Sequence, residues 1–213
     1  SLFTKALAQC GAHVAVIGRH RDTAAALIEE TGGRASFFQA DVTSADDLKR
    51  AREEILARFG VPAILINGAG GNNPSATTED EFHQIGGDVK DFFRLEPDAL
   101  KRVFDLNFFG TLLTTQVFAG DMAGFPGACI VNISSMCAYR PLTKIPAYSG
   151  AKAAIQNLTM WMATYFAKSG LRVNAIAPGF FVSEQNRALL FDKDGRPTPR
   201  TEKILRSTPM GRF

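Results

Sequence analysis

Residues 129–135 read Cys129-Ile130-Val131-Asn132-Ile133-Ser134-Ser135, a short apolar run that ends in two hydroxyls. A run of this length suits a strand covered on both faces, as in a parallel sheet whose crossovers are helices. The pattern recurs along the chain. Val14-Ala15-Val16-Ile17, Ala35 to Val42, Ala63 to Asn67 and Arg172 to Ala177 are further strand candidates, the last closed by Pro178-Gly179. Helices are expected between them, over Ser1 to Gln9, Asp22 to Glu30, Ser44 to Phe59, Pro97 to Met122 with a break, and Ala147 to Lys168. Ser44, three residues before Asp47, reads as an N-cap followed by an acidic first turn. Strand–helix alternation of this kind implies an α/β fold, a doubly wound parallel sheet with helices on both faces. No repeat or low-complexity linker interrupts it, so residues 1–213 are expected to form a single domain.

The pattern opens inside a helix and stops at Gly211-Arg212-Phe213. A doubly wound sheet that binds a dinucleotide starts with a strand and a glycine-rich turn, which seats the pyrophosphate at a helix N-terminus. The first and last strands and that turn are therefore expected to lie outside residues 1–213, leaving the domain incomplete at both ends.

Bulk properties narrow the classes. The chain has 213 residues, 46% of them hydrophobic and 21% charged, enough for one packed core and too apolar for a disordered segment. Its 24 basic and 21 acidic residues leave a net charge of +3 without a basic run, so no nucleic-acid partner is expected. No apolar stretch approaches the ~18 residues of a membrane span, and no signal peptide is visible. The three cysteines, Cys10, Cys129 and Cys137, form no CxxC and read as reduced, mostly buried thiols of a cytoplasmic protein. With three histidines and no Cys/His pair at ligand spacing, no metal site is expected.

Tyr148-Ser149-Gly150-Ala151-Lys152 places a phenol and an ammonium at i and i+4 on one helix face. A nearby positive charge favours phenolate and lowers a tyrosine pKa, as acid–base work near neutrality requires. Ser135, 13 residues earlier, sits at the carboxyl end of a strand, the edge where such sheets bind ligands. Asn67-Gly68-Ala69-Gly70 marks a second strand end, with glycines that admit close backbone approach.

In order and spacing, strand-Ser134-Ser135, Tyr148-x-x-x-Lys152 and Arg172-Val173-Asn174-Ala175-Ile176-Ala177-Pro178-Gly179 resemble the short-chain dehydrogenase/reductase family over essentially the whole chain. The resemblance implies a Rossmann-type fold and a nicotinamide-dependent enzyme that interconverts a carbonyl and an alcohol. Asn67-Gly68-Ala69-Gly70 stands where the family has Asn-Asn-Ala-Gly, departing at Gly68. Asn107 matches the helix asparagine that completes the family's catalytic set, and Ser135 rather than Ser134 has the catalytic spacing. The resemblance implies that Tyr148 passes the proton, Ser135 donates to the substrate oxygen and Lys152 tunes Tyr148 and holds the nicotinamide ribose. It implies further that Asn107 supports a water near the lysine, that Asp41 and Val42 contact adenine, and that Pro178-Gly179 turns under the nicotinamide. The family also implies a homo-oligomer, a tetramer or a dimer. The helix from Ala147 to Lys168 is apolar on more than one face, with Met160, Trp161 and Phe166 beyond its core side.

An acidic residue after the second strand binds the ribose 2′-hydroxyl of NAD, whereas an arginine there accommodates the 2′-phosphate of NADP. Here Gly18-Arg19-His20-Arg21 carries no carboxylate, which favours NADP(H) over NAD(H) with Arg19 as the reader. The crossover from Gly70 to Asn107 is long, 36 residues, and begins Gly71-Asn72-Asn73-Pro74. With Pro141 to Pro146 and Gly179 to Arg187 it is similar to the subgroup described as D-mannonate oxidoreductases (fructuronate reductases). That likeness implies a small-molecule sugar-acid substrate, with Asn72, Asn73, Lys144, Asn186 and Arg187 as candidate contacts. Another sugar-acid or polyol dehydrogenase such as a gluconate 5-dehydrogenase, or an oxoacyl-carrier-protein reductase, remains open. So does a non-catalytic nucleotide sensor, although the intact Ser135, Tyr148 and Lys152 argue against it.

Overall fold

The computed structural model describes residues 2–213, apart from the side chains of Thr23, Glu184 and Gln185. By compactness the chain divides into residues 1–176 and 177–213. The first unit alternates as the sequence implies: α1 (Leu2–Gln9), β1 (Val14–Gly18), α2 (Asp22–Glu29), β2 (Ala35–Gln39), α3 (Ala45–Phe59), β3 (Ile64–Asn67), α4 (Pro97–Phe104), α5 (Gly110–Met122), β4 (Cys129–Ile133), α6 (Pro146–Tyr165) and β5 (Arg172–Ile176). Ser1, the expected start of the first helix, lies outside the described residues.

All strand pairs among the described residues are parallel. β1 pairs with β2, Val14 opposite Ala35 through Gly18 opposite Gln39. β4 is central to a second set, order β3-β4-β5, with Asn67 opposite Asn132 and Ile133 opposite Ile176. That register brings the ends of β3 and β4 level, so Gly68 and Ser134 leave the sheet at the same edge. Beneath the strands one core joins α3, α5 and α6 to both strand sets, with Leu48, Phe118, Met122, Ile130, Met162 and Phe38 all buried. Arg52 on α3 donates from Nε to Asp121 on α5 at 2.6 Å, which fixes the two helices against each other. No described helix is long and apolar enough to cross a membrane.

Several boundaries differ from the sequence reading, each for a local reason. β2 stops at Gln39 rather than Val42 because Asp41 caps a turn, accepting from Thr43 N at 2.9 Å and Thr43 Oγ1 at 2.7 Å. The Ser44 cap forms as expected, its Oγ accepting from Asp47 N at 3.3 Å. α6 begins at Pro146, whose missing N–H costs nothing in a first helical turn, and yields after Tyr165 to a 3₁₀ turn closed by left-handed Gly170. Of the three free cysteines only Cys137 is buried; Cys10 is exposed and Cys129 intermediate, which corrects the expectation of mostly buried thiols.

In the second unit α7 (Glu184–Leu190) and α8 (Pro199–Arg206) form where the sequence reading assigns no element. Thr201 Oγ1 donates to Leu190 O at 2.6 Å, and an isolated bridge pairs Phe191 with Pro197. Thr198 caps α8 and Pro199 opens it.

Candidate active site

The carboxyl end of β4 supplies two hydroxyls with different tasks. Ser134 is buried and donates to Lys152 O at 3.3 Å, tying the strand end to α6. Ser135 caps a 3₁₀ turn over Met136–Ala138, its Oγ accepting from Cys137 N at 3.2 Å. The same Ser135 hydroxyl lies beside the Tyr148 phenol and favours its ionised form. One turn along α6 the Lys152 ammonium donates to Ile133 O at 2.7 Å and lies 5.5 Å from the centre of the Tyr148 ring.

Electrostatics here are set by burial more than by pairing. Burial raises the Tyr148 pKa above its ordinary value, Cys137 beside it adds to the rise, and the Ser135 hydroxyl opposes it. The expected lowering by Lys152 is therefore not what the site produces: the ammonium lies against the ring while desolvation of the phenolate dominates. Burial likewise brings the Lys152 pKa down to about 8.

Asn107 sits where the helical path changes pitch. Between α4 and α5, residues Asp105–Phe109 form a π turn, a feature often found at functional sites. The widened turn leaves fully buried Asn107 facing the strand ends, where Nδ2 donates to Gly71 O at 2.7 Å and Val103 O at 2.8 Å, and Oδ1 accepts from Gly71 N at 3.2 Å. Gly70 passes between this amide and Lys152. A Cβ there would stand 2.6 Å from Asn107 Oδ1 and 3.2 Å from Lys152 Nζ, so only glycine fits.

Asn67 is drawn inward. Its Nδ2 donates to Thr115 Oγ1 at 2.9 Å and to Asn132 Oδ1 at 2.8 Å, while Asn132 donates to Thr159 Oγ1 at 2.8 Å. This buried polar chain links β3 and β4 to α5 and α6. The sequence reading missed it, although Asn132 inside an apolar strand was the available signal, because a buried amide needs partners. Gly68 and Ala69 follow it into the open at the strand end.

Arg19 and Asp41 line one cleft of about 840 Å³, together with Asn72, Asn73, Arg102 and Leu106. Asp41 is held below its ordinary pKa first by the backbone and hydroxyl of Thr43, with Arg19 contributing. Val42 packs on Gly110, where any Cβ would meet it at 2.8 Å. A cleft of this size, a glycine cradle at Gly70 and an exposed guanidinium facing a carboxylate together fit a dinucleotide. Arg102 is an addition to the sequence candidates. It precedes Leu106 by four residues and so shares its helix face.

Of the five substrate candidates, the three in the first unit divide between two cavities. Asn72 donates to Thr77 Oγ1 at 2.9 Å, and Asn73 accepts from Ser75 N at 2.9 Å, both on the Arg19 cleft. Lys144 lines a different cavity, formed with the long crossover. Asn186 lies in the second unit with Pro178 and Gly179, and it is consumed locally: Oδ1 accepts from Ser183 N and Nδ2 donates to Phe181 O. Arg187 of the same unit lies over the Phe191 ring at 5.7 Å.

Comparison with known proteins identifies the family. The family model for short chain dehydrogenases matches residues 2–193. An uncharacterized oxidoreductase of Haemophilus influenzae is 53% identical over 100% of this chain and 76% of its own length. A structure described as "a putative D-Mannonate oxidoreductase from Haemophilus influenza", with bound NAD, gives a TM-score of 0.95 at 52% identity, covering 100% of this chain and 78% of that one. A gluconate 5-dehydrogenase from Burkholderia cenocepacia, in complex with NADP and tartrate, gives a TM-score of 0.80 at 27% identity, covering 100% and 77%.

Proposed function

The chain belongs to the short-chain dehydrogenase/reductase family of NAD(P)-dependent oxidoreductases, and from that premise we propose that it interconverts a carbonyl and a secondary alcohol on a sugar acid of the fructuronate or mannonate kind. The observation that carries this reading is the meeting of the Ser135 hydroxyl, the Tyr148 phenol and Lys152 at the carboxyl end of β4.

In the reducing direction Tyr148 gives its proton to the substrate oxygen as that oxygen gains negative charge. A raised pKa keeps Tyr148 protonated through neutral pH and suits it to this donation. Ser135 donates a hydrogen bond to the same oxygen, where charge develops. Asn107 holds the Gly70–Gly71 backbone against Lys152. When bound, the nicotinamide dinucleotide supplies or accepts the hydride. Arg19, Asp41, Val42 and the Asn67–Gly70 turn would hold its adenosine side, Tyr148 and Lys152 the nicotinamide ribose, and Pro178-Gly179 would pass beneath the nicotinamide.

Arg19 in Gly18-Arg19-His20-Arg21, a stretch with no carboxylate of its own after β1, supports NADP(H) over NAD(H). The 52% identical structure holds NAD, so NAD is the second reading. The sugar-acid class is supported by the likeness to proteins described as mannonate and gluconate oxidoreductases. Exposed Met160, Trp161 and Tyr165 on α6, the last two stacked at 4.8 Å, support a homo-oligomer built on that helix. The three free thiols support a reducing, cytoplasmic setting.

The test is a screen of keto sugar acids, neutral ketoses and simple ketones with NADH and NADPH. Highest kcat/KM on a six-carbon keto sugar acid supports the proposal. Preference for a carrier-linked or hydroxyl-free ketone would overturn the substrate class.

A further inference from the structure

Between the long crossover and the loop that joins Ser135 to Tyr148 lies a cavity of about 290 Å³, whose walls include none of Ser135, Tyr148 or Lys152. Its position is tied to the catalytic tyrosine from two sides. Pro146, in its wall, is the first residue of α6 and precedes Tyr148 by two. Ala76, at the base of the crossover, is fully buried in the small apolar cluster against which Tyr148 packs.

The walls are chemically divided. Phe82 and Phe92 present phenyl surface that is more than half exposed. Beside them stand three acidic residues, Asp80, Glu81 and Asp91, together with His83 and Lys144. His83 lies with Nδ1 3.7 Å from Asp91 Oδ2 and its ring edge-on to Phe93 at 5.7 Å. Asp91 is in turn fixed by accepting from Phe93 N at 3.1 Å. Lys144 adopts a left-handed backbone, φ 74°, and is the only non-glycine residue among those described to do so. A side chain there is strained and persists only when its surroundings enforce it. The enforcing contact comes from the crossover, where Thr78 N donates to Lys144 O at 2.9 Å. Crossover and catalytic loop thus share one wall, with Lys144 among the residues that line it.

We propose that this cavity is the subsite for the far end of the substrate, a polyhydroxylated chain that ends in a carboxylate. The inference rests on the reading of Tyr148 as the reacting centre and names what is recognised beyond it. Lys144 takes the carboxylate. Asp80 and Asp91 accept from chain hydroxyls, His83 beside Asp91 reads a further hydroxyl, and Phe82 and Phe92 cover the C–H face. A hydrocarbon acid would leave the two aspartates desolvated without donors, and a neutral polyol would leave Lys144 without its anion.

The test is steady-state kinetics on the full protein with a keto-uronate, the matching uncharged ketose and cyclohexanone. Lys144→Met is expected to raise KM for the keto-uronate about tenfold or more, with the ketose changed less than about twofold. His83→Ala is expected to raise KM for both sugars and to leave cyclohexanone kinetics unchanged. Val89→Trp, which fills the cavity from an apolar wall and leaves its hydrogen bonds alone, is expected to do the same. Unchanged sugar KM in all three variants, or an equal loss on cyclohexanone, overturns the subsite. Tyr148→Phe run alongside separates the two readings. Turnover lost there while the cavity variants leave KM alone removes the subsite only, whereas turnover surviving in Tyr148→Phe removes the catalytic reading beneath it.

Discussion

The Lys152 ammonium lies 5.5 Å from the centre of the Tyr148 ring and donates to Ile133 O at 2.7 Å, yet no carboxylate pairs with it among the described residues. A buried cation held by a ring face and one carbonyl costs stability, and its pKa of about 8 expresses that cost. The unfolded chain returns Lys152 to its ordinary value of 10.5. Above both values the group is neutral folded and unfolded, and nothing is lost. As pH falls through 8, the folded state must accept a charge that the unfolded state already carries. Lys152→Met is therefore expected to gain thermal stability relative to wild type below pH 8, and the gain should shrink between pH 8 and 10.5. Tm measured for both proteins across that window checks it; a difference that does not vary with pH contradicts it.

Asn107 satisfies three backbone groups while fully buried in the π turn. Asn107→Ala leaves those groups without partners and is expected to cost roughly 2–4 kcal/mol. Urea denaturation reads this directly. A loss below about 0.5 kcal/mol would mean that the turn holds without its amide.

Gly70→Ala tests the cradle. Its Cβ would press on Asn107 Oδ1 and Lys152 Nζ together. The fold should survive, because Gly70 is exposed at a strand end, whereas kcat/KM should fall about 10²-fold through misplacement of Lys152. Circular dichroism alongside kinetics separates the two effects, and near wild-type turnover would contradict the geometry.

Arg19→Ala tests cofactor choice. Loss of a charge-assisted partner should weaken NADPH by roughly tenfold or more while NADH changes little. Fluorescence titration gives both Kd values. Equal effects on the two reject the preference for NADP(H).

Much of the fold and of the site is legible in the sequence because it rests on short-range rules. The run Cys129 to Ile133 is apolar and β-branched, and it forms β4 with the boundaries expected. Ser44 and Asp47 announce α3, and the i, i+4 spacing of Tyr148 and Lys152 places both on α6. What escapes depends on long-range packing. The direction of the Tyr148 pKa is decided by burial, which spacing does not encode. The division of Asn72 and Asn73 from Lys144 depends on how an irregular crossover folds back, and Thr78 meets Lys144 across 65 intervening residues. The helices of residues 177–213 escape for a different reason. Thr198-Pro199 and Ser183 carry ordinary capping signals, but the short segments behind them give too few turns for periodicity to stand out.

The central claim is that Tyr148 passes the proton, and its replacement by phenylalanine tests that most directly. Tyr148→Phe keeps the ring against Ala76 and Ala147 and removes only the hydroxyl that meets Ser135. With the best substrate of the screen and saturating dinucleotide, turnover should fall about 10²–10⁴-fold. Turnover within about threefold of wild type would contradict the assignment of Tyr148, and with it the account of how this site works.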